Sequence, residues 1–169
     1  MNKDIIFEKC KEYILEKGFE NFEIRGLVKS LGISIGTFYN YFKSKEDLFC
    51  QIFLDDWNKT LKEIENSIKN KEFEEKVEIT LKNLRVFLEK YKTSMKVIFN
   101  SLILKGEKPK KLLENVNLIN FVKENFEIKD DYLAELFINL IFFHLRRGGD
   151  DKKFINLIKR LFEEDLWKK

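Results

Sequence analysis

The sequence predicts an all-α protein. Three observations carry this: apolar residues recur at three- and four-residue spacing along most of the chain, Gly and Pro number only seven and one, and Lys, Glu, Leu, Ile and Phe dominate. So few Gly and Pro leave few obligatory turns, which favours long helices over a sandwich of short strands. The 169 residues suffice to bury a sizeable core. The 17 Phe must be housed in a thick core, a buried subunit interface and an apolar cavity.

Asp4 can cap a first helix, in which Ile6, Cys10 and Ile14 recur four apart and which Gly18 ends. Ile24, Leu27, Val28 and Leu31 follow the i, i+3, i+4, i+7 pattern of a short second helix, stopped by Gly32. Ser34 can cap a third, with Phe38 and Phe42 facing inward and Gly36, Thr37, Asn40 and Tyr41 largely on the other side. The run Ser44, Lys45, Glu46, Asp47 is a capping-box variant with Asp in the Glu position. It opens a long fourth helix through Leu48, Ile52, Trp57, Leu61 and Ile64. A reader domain is therefore expected over residues 1–47 and a helical body over 48–169.

In the body, the charged run 69–76 separates helix four from a fifth helix through Val77, Leu81, Leu84, Phe87, Leu88 and Tyr91. A sixth is expected around Met95, Ile98, Phe99 and Leu102, ending near Gly106. Residues 105–111 hold the one proline and form the clearest loop. A seventh helix is placed from about Lys110 to Phe126. Asp130 opens an apolar eighth through Leu133, Leu136, Phe137, Leu140, Ile141 and His144, and residues 146–151 turn into a ninth from Lys152 to Trp167. Two such helices joined by a short turn form an antiparallel hairpin. Their combined apolar surface is too large for an exposed hairpin and calls for a partner surface.

Composition narrows the function classes. A net charge of +3 is too nearly balanced to argue nucleic-acid binding from the whole chain, so local charge must carry it. Cys10 and Cys50 lie outside any CxxC or Cys/His spacing, which fits buried thiols in a reducing compartment rather than a disulfide framework or zinc site. No apolar stretch approaches the roughly 18 residues of a membrane span, so a cytoplasmic protein with no membrane partner is expected. No nucleophile and base pair, phosphate-cradling Gly loop or metal-ligand cluster can be assembled, so neither an enzyme, a cofactor nor a metal is expected. His144, the sole histidine, reads as a satisfied interface residue.

Between Arg25 and Lys45 there is no acidic residue, although Asp and Glu fill 29 of the 169 positions, and the segment carries Arg25, Lys29, Lys43 and Lys45. A surface that faces phosphates has this character. Within it, Gly36 has no side chain to hold a partner away, and Thr37 and Asn40 are short hydrogen-bonding groups. Asn can pair with adenine through two bonds, and the Thr methyl can meet that of thymine. Helix two, a Gly turn and such a helix make a helix-turn-helix, whose second helix enters the major groove. Basic, acid-free windows also occur on ordinary solvated surfaces.

The run IRGLVKSLGISIGTFYNYFKSKEDLF, residues 24–49, resembles the signature of TetR/AcrR-type repressors, through Gly32, Ser34, Gly36, Thr37, Tyr39, Phe42, Lys45 and Leu48. The resemblance implies that Tyr39 and Tyr41 touch phosphate through their hydroxyls and that Lys45 binds phosphate at the start of helix four. It also implies that Ser34, Thr37 and Asn40 approach the duplex, and that Arg25 reaches the neighbouring backbone or a base. Lys43 adds positive charge beside them. Three positions depart from the pattern: Glu23 where a capping Thr or Ser is usual, Gly26 where Asp is frequent, and Ile35 where Lys is common. Ile35 exchanges a phosphate contact for a thymine-methyl contact.

The resemblance further implies a homodimer through helices eight and nine on a palindromic operator in double-stranded DNA. It also implies a small-molecule inducer held among the middle helices, whose binding shifts helix four and changes the spacing of the two readers. Trp57, Phe87, Leu88, Tyr91, Met95, Phe99, Phe121 and Ile141 are the candidate lining, and they suit an apolar or aromatic ligand. Each serves equally well as plain core. A helical interaction protein that keeps the reader fold, or a constitutive repressor without an inducer, satisfies the same residues.

Overall fold

The computed structural model describes residues 2–104 and 118–162, with the backbone alone for 97–104. Among the described residues there are eight helices and no strand. They are α1 (Lys3–Lys17), α2 (Ile24–Leu31), α3 (Ile35–Tyr41), α4 (Lys45–Ile68), α5 (Phe73–Leu104), α6 (Leu118–Phe126), α7 (Asp131–Arg147) and α8 (Asp151–Phe162). No helix among the described residues is long and apolar enough to cross a membrane.

The chain divides into two compact units, and both α4 and α5 run from one into the other. Of the described residues, the first holds 2–56 together with 91–104. Ile6, Cys10 and Ile14 of α1, Leu27 and Val28 of α2, and Phe38 of α3 are buried with Phe42, Leu48 and Phe49. Aromatic rings fill the remaining space, with Phe19 against Phe49 at 4.5 Å and Phe38 against Phe42 at 5.3 Å.

A buried polar cluster lies in the same unit. Lys11 of α1 forms an ion pair with Asp55 at 2.7 Å and a second with Asp56, while the Tyr91 hydroxyl of α5 donates to Asp56 Oδ2 at 2.5 Å. Lys11, Asp56 and Tyr91 are all less than a tenth exposed. Burial pulls the Lys11 ammonium down, but its hydrogen bonds to Asp55 and Asp56 outweigh this and hold it above the usual lysine value. Burial and the Asp56 carboxylate together push the Tyr91 hydroxyl well up.

Of the described residues, the second unit holds 57–90 together with 118–162. Here α8 returns antiparallel along α7: His144 stacks on Phe154 at 4.0 Å near the turn, and Phe137 meets Phe162 at 5.2 Å at the far end. Asp150 accepts from the backbone N–H groups of Lys152 and Lys153 and so starts α8. Asp151 accepts a two-pronged pair of bonds from Arg85 of α5 at 2.9 and 3.1 Å and lies 2.7 Å from His144 Nε2. His144 is thus buried and partnered within its own chain.

Two expectations change, and two fall partly outside the described residues. The cap of α1 is Asn2, whose side chain accepts from the Asp4 N–H, so Asp4 sits in the first turn, where its charge favours the helix N-terminus. Helices five and six are one helix, α5, because the polar stretch Lys92, Thr93, Ser94 interrupts the apolar pattern without containing a Gly or Pro to break the backbone. Of the expected seventh helix, Leu118–Phe126 is observed as α6, and 110–117 and the loop at 105–111 lie outside the described residues. The eighth and ninth helices are α7 and α8; 163–167 lie outside the described residues.

Candidate nucleic-acid interface and interior space

Helix α2 ends at Gly32, whose left-handed backbone (φ 64°, ψ 31°) suits a residue without a Cβ. The N–H of Ile33 bonds back to the Val28 carbonyl at 3.0 Å, closing the helix end. Ser34 then caps α3, its Oγ accepting from the Thr37 N–H at 3.0 Å and lying 2.9 Å from Thr37 Oγ1. This is the helix, sharp turn, helix arrangement expected of a reader. The start of α4 is fixed reciprocally: Ser44 Oγ accepts from the Asp47 N–H at 3.1 Å, and the Asp47 carboxylate accepts from the Lys43 N–H at 2.7 Å.

Helix α3 has one buried side and one open side. Phe38 is fully buried, as is Phe42 just beyond the helix. Ser34, Ile35, Gly36, Tyr39, Asn40 and Lys43 are exposed, with Thr37 and Tyr41 half-buried. Ile35 and Tyr39 are 43% and 52% exposed, large values for side chains of their kind. A Cβ on Gly36 would meet nothing closer than Ser34 Oγ at 3.6 Å, an ordinary contact, so nothing in the free chain requires glycine there. Arg25 and Lys29 are exposed on α2.

Lys45 has an internal engagement that its sequence position did not reveal. Its Nζ donates to the Phe22 carbonyl at 2.8 Å and lies over the rings of Phe22 and Phe19 at 4.4 and 4.8 Å. Burial holds its ammonium below the usual lysine value, outweighing Glu46 and Glu23.

The departures also have local causes or consequences. Glu23 makes no side-chain capping bond to α2. A Cβ on Gly26 would come within 3.1 Å of the Tyr13 hydroxyl, so glycine lets α1 approach α2 closely. Cys10 is buried and its thiol is pushed up to about 11 by that burial, whereas Cys50 is half-buried.

In the second unit, a small, partly open space of about 20 Å³ has Leu61, Leu84, Phe121, Phe137, Ile141 and Phe142 in its wall. Of the eight residues expected to line a ligand cavity, Phe121 and Ile141 border it. Trp57 and Phe87 are buried against each other, ring centroids 5.0 Å apart, and Leu88 and Met95 are half-buried. Tyr91 belongs to the polar cluster through Asp56, and the Phe99 side chain lies outside the described residues. The space holds about one water, against roughly 300 Å³ or more for a small-molecule site. A ligand here must open it. No group of three or more His, Cys, Asp or Glu among the described residues could hold a metal ion.

Residues 6–52 match the family model for bacterial regulatory proteins of the tetR family. A fatty acid metabolism regulator protein of Bacillus subtilis (strain 168) is 32% identical over 66 residues, covering 39% of this chain and 34% of that protein. The chain thus matches about a third of the length of that curated relative. Among solved structures, the fatty acid degradation regulator FadR of Bacillus halodurans aligns with a TM-score of 0.54 at 19% identity, covering 98% of this chain and 96% of that one. The FadR regulator of Bacillus subtilis in complex with stearoyl-CoA aligns with a TM-score of 0.48 at 21% identity, covering 98% and 100%.

Proposed function

We propose that this chain, which belongs to the tetR family of bacterial regulatory proteins through residues 6–52, is a cytoplasmic DNA-binding transcriptional repressor. One observation carries the reading: α3 turns Ile35, Gly36, Tyr39 and Asn40 to solvent beside an acid-free segment bearing Arg25, Lys29 and Lys43. Asn40 and Thr37 are suited to base edges, Ile35 to a thymine methyl, and Tyr39, Tyr41 and the basic side chains to phosphate. Lys45 holds Phe22 and so fixes the joint between the α1–α2 turn and α4. Its charge adds to the same positive surface.

The repressor acts as a homodimer on a palindromic operator. Support comes from α7, where Tyr132, Leu136 and Phe143 are 83%, 42% and 47% exposed. At 3.6 residues per turn these three fall within about 40° of one another, opposite Ala134, Phe137 and Ile141 on the buried side. Leu157 of α8, half exposed, extends the apolar surface. A twofold dimer through α7 and α8 would present two copies of α3, roughly 34–36 Å or a multiple apart, to successive major grooves.

An apolar small molecule, entering the second unit, would release the repressor. The apolar wall of this small space supports this, and the continuity of α4 from reader to body offers the mechanical link. Selection of bound duplexes from a random-sequence pool tests the DNA reading. An enriched inverted repeat is expected. Recovery of the input pool unchanged, with protein partners captured instead, would replace it with a helical interaction protein.

A further inference from the structure

Trp57 is 3% exposed, yet its indole Nε1–H finds no acceptor among the described residues. A buried N–H of this kind forfeits the hydrogen bond that water gave it in the unfolded chain, so such groups are rare and call for an explanation. Its neighbours are hydrocarbon: Phe87 meets the indole at a steep angle at 5.0 Å, and Phe142 lies nearly parallel to it at 6.5 Å.

Phe142 also stands in the wall of the small apolar space, as does Leu61, one turn along α4 from Trp57. One half-buried ring therefore borders both the indole and the space. No charged side chain is in that wall among the described residues, and the one hydroxyl there, of Thr80, donates to the Lys76 carbonyl at 2.8 Å.

We propose that Trp57 Nε1 is the polar anchor of a ligand site, and that its ligand is an uncharged carbonyl compound on a hydrocarbon frame. The inference rests on the reading that the second unit responds to an apolar small molecule. Turning Phe142 aside joins the space of about 20 Å³ to the indole. The hydrocarbon part of the ligand then packs on Phe121, Phe137 and Ile141, and its carbonyl oxygen accepts from Trp57. A carboxylate is disfavoured at the same position, since it would leave water with no cation among the wall's described residues to receive it. A plain hydrocarbon would bind but leave the indole N–H without an acceptor.

The test uses the full-length protein labelled with ¹⁵N, titrated with 2-undecanone or with undecane. The chain has two tryptophans, Trp57 and Trp167, so Trp57→Phe identifies the indole signal of interest. The ketone is expected to move the Trp57 indole proton downfield and to bind about fivefold more tightly than undecane, as one net hydrogen bond implies. That preference should vanish in Trp57→Phe, which should still bind undecane. An indole proton that rests upfield and stays unmoved by the ketone would overturn the proposal, because an N–H pointing at the Phe87 ring accounts for it. Equal binding of the two probes by the native protein overturns it as well, while leaving the small-molecule reading intact. If neither probe binds, that reading falls with it, and DNA binding is judged separately by the duplex selection.

Discussion

At the residue scale, several side chains separate folding from function. Cys10 combines burial with a thiol raised to about 11, so it should resist alkylation in the native protein at pH 8. Mass spectrometry after iodoacetamide treatment is expected to find Cys10 modified only once the chain is unfolded. Asp151 is held below the usual carboxylate range by the Arg85 guanidinium first and by His144 second. A depressed carboxylate stabilises the fold above its unfolded value and loses that contribution as pH falls through its folded one. Thermal melts should therefore weaken below about pH 4, and Asp151→Asn should flatten part of that fall. The effect is small, because the Asp151 side chain is 37% exposed and solvent screens the pair. Neither the Arg85 to Asp151 pair nor the Lys45 to Phe22 bond was legible in the sequence, since no local pattern marks a contact between residues 66 or 23 apart.

At the scale of elements, the first three helices were legible because they are sharply punctuated: Gly18, Gly32 and Ser34 occupy ends that physics assigns to such residues. The continuity of α5 was not, since a polar stretch of a helix resembles a break when only apolar periodicity is read. The cluster joining α1, α4 and α5 was also hidden, its members being Lys11, Asp55, Asp56 and Tyr91. Removing the cation leaves two carboxylates without their lysine, one of them buried. Lys11→Met should thus cost on the order of 3 kcal/mol in urea unfolding, and Tyr91→Phe about 1 kcal/mol. Gly36→Ala makes a sharper distinction. In the free chain the added methyl meets only an ordinary contact and replaces glycine in a helix, so stability should hold or rise by about 0.5 kcal/mol. If α3 lies in the groove as proposed, operator affinity should nevertheless fall, because the same methyl would stand between the two.

At the scale of the molecule, the all-α class followed from composition and spacing, and the apolar excess of the last two helices pointed to a partner surface. What the sequence could not convey was the size of the interior space, because a stripe of Phe and Leu reads alike whether it encloses a ligand or packs to a void of about 20 Å³. Nor could it show that the Trp57 indole would be left without an acceptor among the described residues. The exposed side of α7 makes the dimer testable: Phe143→Asp with Leu136→Asp should give a monomer by light scattering at micromolar concentration without lowering helix content. A dimer of unchanged mass would remove α7 from the interface.

The measurement that bears most directly on the outward face of α3 is fluorescence anisotropy on a duplex recovered by selection, across a range of salt, with the native protein and Asn40→Ala. The native protein should lose affinity steeply with salt, with a logarithmic slope of about −5 if Arg25, Lys29 and Lys43 each neutralise a phosphate in both copies of the proposed dimer. Asn40→Ala should weaken binding by roughly tenfold while leaving that slope unchanged, as the loss of a base contact demands. Affinity and sequence preference that are the same with and without the Asn40 side chain would contradict the placement of α3 in the groove.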